Sequence, residues 1–187
     1  MKNTNNVNST AILSNRKIFS FDAETNGLWG KPFSIAAVVW ENGKEVKSFL
    51  ARCPIEGEVN DWVAKNVLPQ MEGIPVTHDS YEEMLRAFAE FYLAEKAGSD
   101  IIVHMGTPVE SRVFIDMHSV GCIGDWDGPY PLIDIAGNLK QTGFDPTSVD
   151  SYNASHGLVV PACEGGTHNP LYDSRAAALC YLHLMAK

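Results

Sequence analysis

The chain has 187 residues, 45% of them hydrophobic and 20% charged, a composition that suits a globular protein with enough length for one domain and its own core. A formal net charge of -9, from 14 basic against 23 acidic residues, excludes a protein that holds nucleic acid on a broad basic surface, though not one whose carboxylates recruit metal ions to a phosphate. No apolar run approaches the roughly 20 residues of a membrane span, the opening "MKNTNNVNSTAILSNRK" lacks a secretion-signal pattern, and the four scattered cysteines form no C-x-x-C pair, so a cytoplasmic setting without a membrane partner is expected.

The first 16 residues, rich in Asn, Ser and Thr, read as a polar arm, and residues 17–187 as a single domain. "KIFSFDA" from Lys17 is strand-like, "FSIAAVVWE" is a second strand and "EVKSFLARC" a third, with the Asn-Gly of "ENGKE" turning the last two into an antiparallel meander. "VNDWVAKNVLPQM" has helical spacing and stops at Pro69, and Ser80 with Glu83 forms a capping box ahead of a second helix carrying Tyr81, Leu85, Phe88 and Tyr92. Strands and helices then alternate: "SDIIVHM" as a short buried strand, "PVESRVFIDMHSV" as a helix from Pro108, and "YPLIDIAG" as a strand whose Asp134 caps a short helix. The last helix starts near Pro170 and carries Leu179, Leu182 and Met185 along one stripe. This order predicts an α/β fold with a mixed five-stranded sheet, three antiparallel strands then parallel strands, flanked by helices. His104 at a strand end and His156 before Gly157 read as structural residues.

Residues two apart on a strand share a face, so Asp22 and Glu24 of "FDAETNGLWG" project together from the end of the first strand. Neighbouring carboxylates repel, and the repulsion is met either by lysines at a solvated strand end or by a hard divalent cation bound through oxygen. "THNPLYDSRAAA" adds His168 just before the last helix and Asp173 in its first turns, where the helix dipole favours a carboxylate. Taken singly, these two are a turn residue and a helix-start charge. With the strand pair they make three carboxylates able to hold two metals, beside a base suited to take a proton from water near neutral pH.

"FDAETNGL" resembles the D-x-E-T-x-G-L first motif, and "HNPLYD" the H-x-x-x-x-D third motif, of the DEDDh 3′-to-5′ exonucleases, the group of the proofreading exonuclease subunit of DNA polymerase, ribonuclease T and oligoribonuclease. The resemblance runs from about Lys17 to the C-terminus and implies a ribonuclease H-like sheet. The second motif departs from the family pattern: a carboxylate opens the helix after the fourth strand, and in "IIVHMGTPVES" that acid is Glu110, one residue later than the common spacing. Glu110 takes the role because it falls in the first helical turn, whereas Asp116, about six residues on at roughly 100° per residue, faces elsewhere.

The resemblance implies hydrolysis of terminal phosphodiesters at the 3′ end of single-stranded RNA or DNA, releasing nucleoside 5′-monophosphates with two divalent ions, Mg2+ or Mn2+. Asp22 would bridge both ions, Glu24 and Asp173 would complete the one that activates water, Glu110 would support the second, and His168 would be the general base. Ala23, Thr25, Gly27, Leu28 and Trp29 would lie against the terminal nucleotide, with Leu28 as an apolar wedge and Gly27 permitting close approach or a positive φ. Trp29 and Phe33 either stack bases or belong to the core. Trp126 and Tyr130 in "GDWDGPYP" either flank the substrate or are structural. Many members of the family are homodimers, so a homodimer is an expectation. The altered second motif keeps an alternative open, a catalytically weakened module that binds nucleic-acid 3′ ends or a protein partner, and a metal phosphatase acting on nucleotides is a third.

Overall fold

In the computed structural model, which describes residues 13–163 and 165–186, the alternation of the first strand separates two cores. Phe19, Phe21 and Ala23 of β1 (Ile18–Thr25) point to one face, where α1 (Asp61–Asn66), α2 (Tyr81–Glu95) and α3 (Val109–Ser119) supply Val63, Leu85, Phe88, Tyr92, Val113 and Phe114. Aromatic contacts dominate there, as in the edge-to-face pair of Phe21 and Phe114 at 5.4 Å, each such pair adding about 0.5–1.5 kcal/mol beyond its buried area. Ile18, Ser20, Asp22 and Glu24 occupy the opposite face, covered by α4 (Ile135–Gln141), α5 (Val149–Ser155) and α6 (Pro170–Leu184).

The predicted mixed sheet is the observed one. β1, β2 (Pro32–Glu41) and β3 (Lys44–Arg52) form the antiparallel meander, β4 (Asp100–Val103) and β5 (Leu132–Asp134) run parallel, and the strand order is β3-β2-β1-β4-β5. Asn42 (φ 52°) and Gly43 (φ 73°) supply the two left-handed residues that a tight hairpin between twisted strands requires. At the start of α2, Ser80 Oγ accepts the Glu83 N–H (3.2 Å), and the Glu83 carboxylate reaches back to the Asp79 N–H (3.0 Å).

Three expectations need correction. The helix expected to stop at Pro69 ends three residues earlier: α1 finishes at Asn66, and a single 3-10 turn, Leu68–Met71, containing the proline that has no N–H for the carbonyl four residues back, follows. Helix α5 was not anticipated. The last helix is buried nearly all round from Ala176 to Leu182, not along one stripe, since β1, β2, α4 and α5 enclose it. Of the predicted arm, residues 1–12 lie outside the described residues, while the Ser14 N–H donates to the Leu182 carbonyl (2.9 Å) and Arg16 pairs with Asp100 (3.0 Å). Among the described residues no helix is long and apolar enough to cross a membrane.

The sheet positions the site by ending unevenly. β1 pairs with β4 only from Ile18 to Ser20, β4 stops at Val103, and β1 runs on to Thr25. Gly106, where β4 turns toward α3, leaves no room for a side chain: a Cβ there would lie 2.4 Å from Val103 Cγ2.

Candidate metal centre

Three carboxylates meet at the projecting end of β1. Asp22 and Glu24 share the face that α6 covers, α6 delivers Asp173, and one oxygen from each lies within 4.8 Å of the others. Small and polar residues seat α6 this closely. Ser174, fully buried, donates to the Pro170 carbonyl (2.6 Å) and stands 3.2 Å from the β2 carbonyl of Ala36, while Ser20 Oγ donates to the Ser174 carbonyl (2.8 Å). Asn169 caps the helix at the Leu171 N–H (3.0 Å), Pro170 needs no partner at the first position, and Asp173 Oδ2 accepts the His168 N–H (2.8 Å). His168 adopts φ 72° to make that turn.

Glu110 sits buried in the first turn of α3, and its Oε1 accepts the Ala23 N–H (3.1 Å), a donor that β4 ends too early to pair. It is not one of the three acids whose oxygens gather within 4.8 Å, yet it acts on their charge. Burial first, and Glu110 second, raise the Asp22 carboxyl well above the usual carboxylate range. Burial, then Asp22, Asp173 and Glu110, raise Glu24. Asp173 rises through burial and Asp22, against the pull of the His168 N–H. Glu110 is pushed up to about 7, chiefly by burial, although the Ala23 N–H opposes it. Burial lowers the pKa of His168, favouring the neutral imidazole. No ion pair reaches these acids among the described residues, so the lysine-paired strand end is not what forms. An oxygen-only donor set of mutually repelling acids matches the ligand chemistry of Mg2+ or Mn2+.

A cleft of about 590 Å³ opens over the acids. Asp22, Ala23, Glu24, Thr25, Gly27, Leu28, Glu110, His168 and Asp173 all line it. Trp29 does not; it is 75% exposed, and Phe33 is buried in the first core. Trp126 and Tyr130 stand exposed away from the cleft. Asp116 accepts the Tyr81 hydroxyl (2.9 Å) and so faces α2. His104 is tied through Nε2 to the Pro146 carbonyl (2.8 Å), although its side chain also borders the cleft.

Four residues shape this cleft in ways that the sequence patterns did not show. Trp62 of α1 lines it and meets the His168 ring edge-on at 5.3 Å. Asn60 caps α1, and Asn26 ties that cap to the end of β1 by accepting the Asn60 N–H (2.8 Å) and donating to the Glu58 carbonyl (2.8 Å). Gly27, at φ 81°, passes close to the Asn60 side chain. Asp134, read only as a cap, accepts the Ala136 N–H and also the Met105 and Gly106 N–H groups, all at 3.0 Å, fixing the loop that leads to Glu110. Of these, the sequence marked only Asp134, and only as a cap; Trp62, in the first turn of α1, carried no signal that placed it beside the acids.

The sequence matches no protein-family profile and no curated protein. Solved structures do resemble it. They include Exonuclease X in complex with 5′ overhanging duplex DNA (TM-score 0.60, 19% identity, covering 90% of each chain). The nuclease domain of 3′hExo, a DEDDh family member, bound to rAMP, gives a TM-score of 0.64 at 11% identity over 94% of this chain and 93% of that one. A full-length 3′-exonuclease gives 0.62 at 12% identity, over 94% of this chain and 62% of its own. At such identities the likeness establishes the fold alone, a ribonuclease H-like mixed sheet flanked by helices.

Proposed function

We propose that the chain is a metal-dependent 3′-to-5′ exonuclease that removes nucleoside 5′-monophosphates from single-stranded RNA or DNA. The observation that carries this reading is the gathering of Asp22, Glu24 and Asp173 within 4.8 Å, at the mouth of a cleft, on a fold shared with exonucleases. Asp22, Glu24 and Asp173 would hold divalent ions, with Glu110 supporting them from the wall of the cleft. Once bound, Mg2+ or Mn2+ would lower the pKa of a coordinated water and offset charge on the scissile phosphate. His168, kept neutral by burial, accepts the proton of the attacking water. The water oxygen bonds to phosphorus, the bond to the 3′ oxygen of the preceding nucleotide breaks, and that oxygen is protonated as the mononucleotide leaves. Ala23, Thr25 and Gly27 present backbone to the terminal nucleotide, and Leu28 lies against its base.

The test uses 5′-labelled single-stranded RNA and DNA with Mg2+ or Mn2+. A ladder shortening from the 3′ end and stopped by EDTA is expected, and Asp22→Ala should reduce its rate by more than about 100-fold while leaving the fold intact. Full activity in that variant overturns the assignment. Tight end binding with no ladder instead identifies a binding module, and release from small phosphate esters alone identifies a phosphatase.

A further inference from the structure

If the protein is a nuclease as proposed, the charge around its cleft selects the substrate. Among the described residues no Lys or Arg lines the cleft. Two histidines line it: His104, tied through Nε2 to the Pro146 carbonyl, and His168, whose backbone N–H donates to Asp173. Cations elsewhere are committed. Eight Lys and Arg side chains are ion-paired with carboxylates, Lys31 with Glu56 and Arg175 with Glu45 among them. Arg52 turns inward to the Met71 and Ile74 carbonyls, both at 2.9 Å. Of the described cations without an ion pair, only Lys65, three residues beyond Trp62 in α1, belongs to an element that lines the cleft.

With a formal net charge of -9 for the chain and, among the described residues, no Lys or Arg at the cleft, a long strand leaving it would find no basic track beside the site. The grip on offer is apolar: Leu28 and Trp62 are 60% and 55% exposed and both line the cleft, where bases stack without regard to sequence. We infer that the protein grips only the terminal nucleotides of a single strand, through Leu28 and Trp62, and releases the strand after each cut.

The experiment measures kcat/KM per 3′ end for single-stranded oligomers from about 3 to about 24 nucleotides, at fixed metal and varied monovalent salt. The expected value changes less than about threefold with length, and its logarithm falls against log salt with a slope no steeper than about -0.7, the equivalent of one phosphate contact on a single strand. Excess unlabelled oligomer added after the first turnover halts the ladder. Trp62→Ala raises KM about tenfold, equally at every length. A kcat/KM that climbs about tenfold with length, a slope steeper than about -2, a ladder that continues through the trap, or a Trp62→Ala loss that grows with length overturns the end-only grip and leaves the nuclease reading standing. No cleavage at any length overturns that reading, and this inference with it.

Discussion

Glu110 concentrates the electrostatics of the site in one side chain: it is buried, it satisfies the Ala23 N–H, and its carboxyl is pushed up to about 7. Its ordinary value is near 4.5. Between those values the unfolded chain has released a proton that the folded chain keeps, so the folded state loses stability as pH rises through this window. In EDTA, melting temperature should therefore fall between pH 5 and pH 8, by about 5 °C from this group. Glu110→Gln keeps an oxygen for Ala23 and removes the charge. It should flatten that pH dependence in thermal melts while raising the half-saturating Mn2+ concentration about tenfold in activity titrations. A variant with unchanged metal dependence would remove Glu110 from the metal site. At this scale the sequence was most readable where geometry is local. Strand alternation alone places Asp22 beside Glu24, and helix phase places Asp173 and Glu110 in first turns. Trp62 and Asp134 were not readable as site-shaping residues, because their roles depend on where two loops travel.

Among the elements, α6 has the most demanding fit. Its Ser174, Ala176, Ala177 and Ala178 are buried against β1 and β2, and Ser20 and Ser174 lock the helix to the strand that carries two of the acids. Ser174→Leu should cost about 1–3 kcal/mol in denaturant unfolding and should lower metal affinity at the same time, because the displaced helix carries Asp173. Stability lost with metal affinity unchanged would mean that the acids are held some other way. A period of 3.6 suggested a one-sided helix, but enclosure by sheet and helices on several sides cannot be read from one helix's own residues. The same limit hid the early end of α1 at Asn66, three residues short of the stop expected at Pro69, and α5, whose seven residues "VDSYNAS" carry little periodicity. The meander and capping box were legible because each rests on contacts a few residues apart.

For the whole molecule, the repelling acids make the metal-free protein less stable than its packing alone would allow. A divalent ion that binds only the folded state adds about 2.7 kcal/mol at 100 times its Kd. Mg2+ or Mn2+ should accordingly raise the melting temperature by about 5–10 °C, and Asp22→Asn should abolish most of that rise while stabilising the metal-free form. A melting temperature indifferent to both ions would count against the metal centre. The early end of β4 and the late arrival of α6 also bear on biosynthesis. A ribosome that has exposed the first 160 residues has made Asp22, Glu24 and Glu110, but neither His168 nor Asp173. Until α6 has emerged, two acids of β1 stand together without the third. The carboxylate cluster is complete only once that helix has closed over β1.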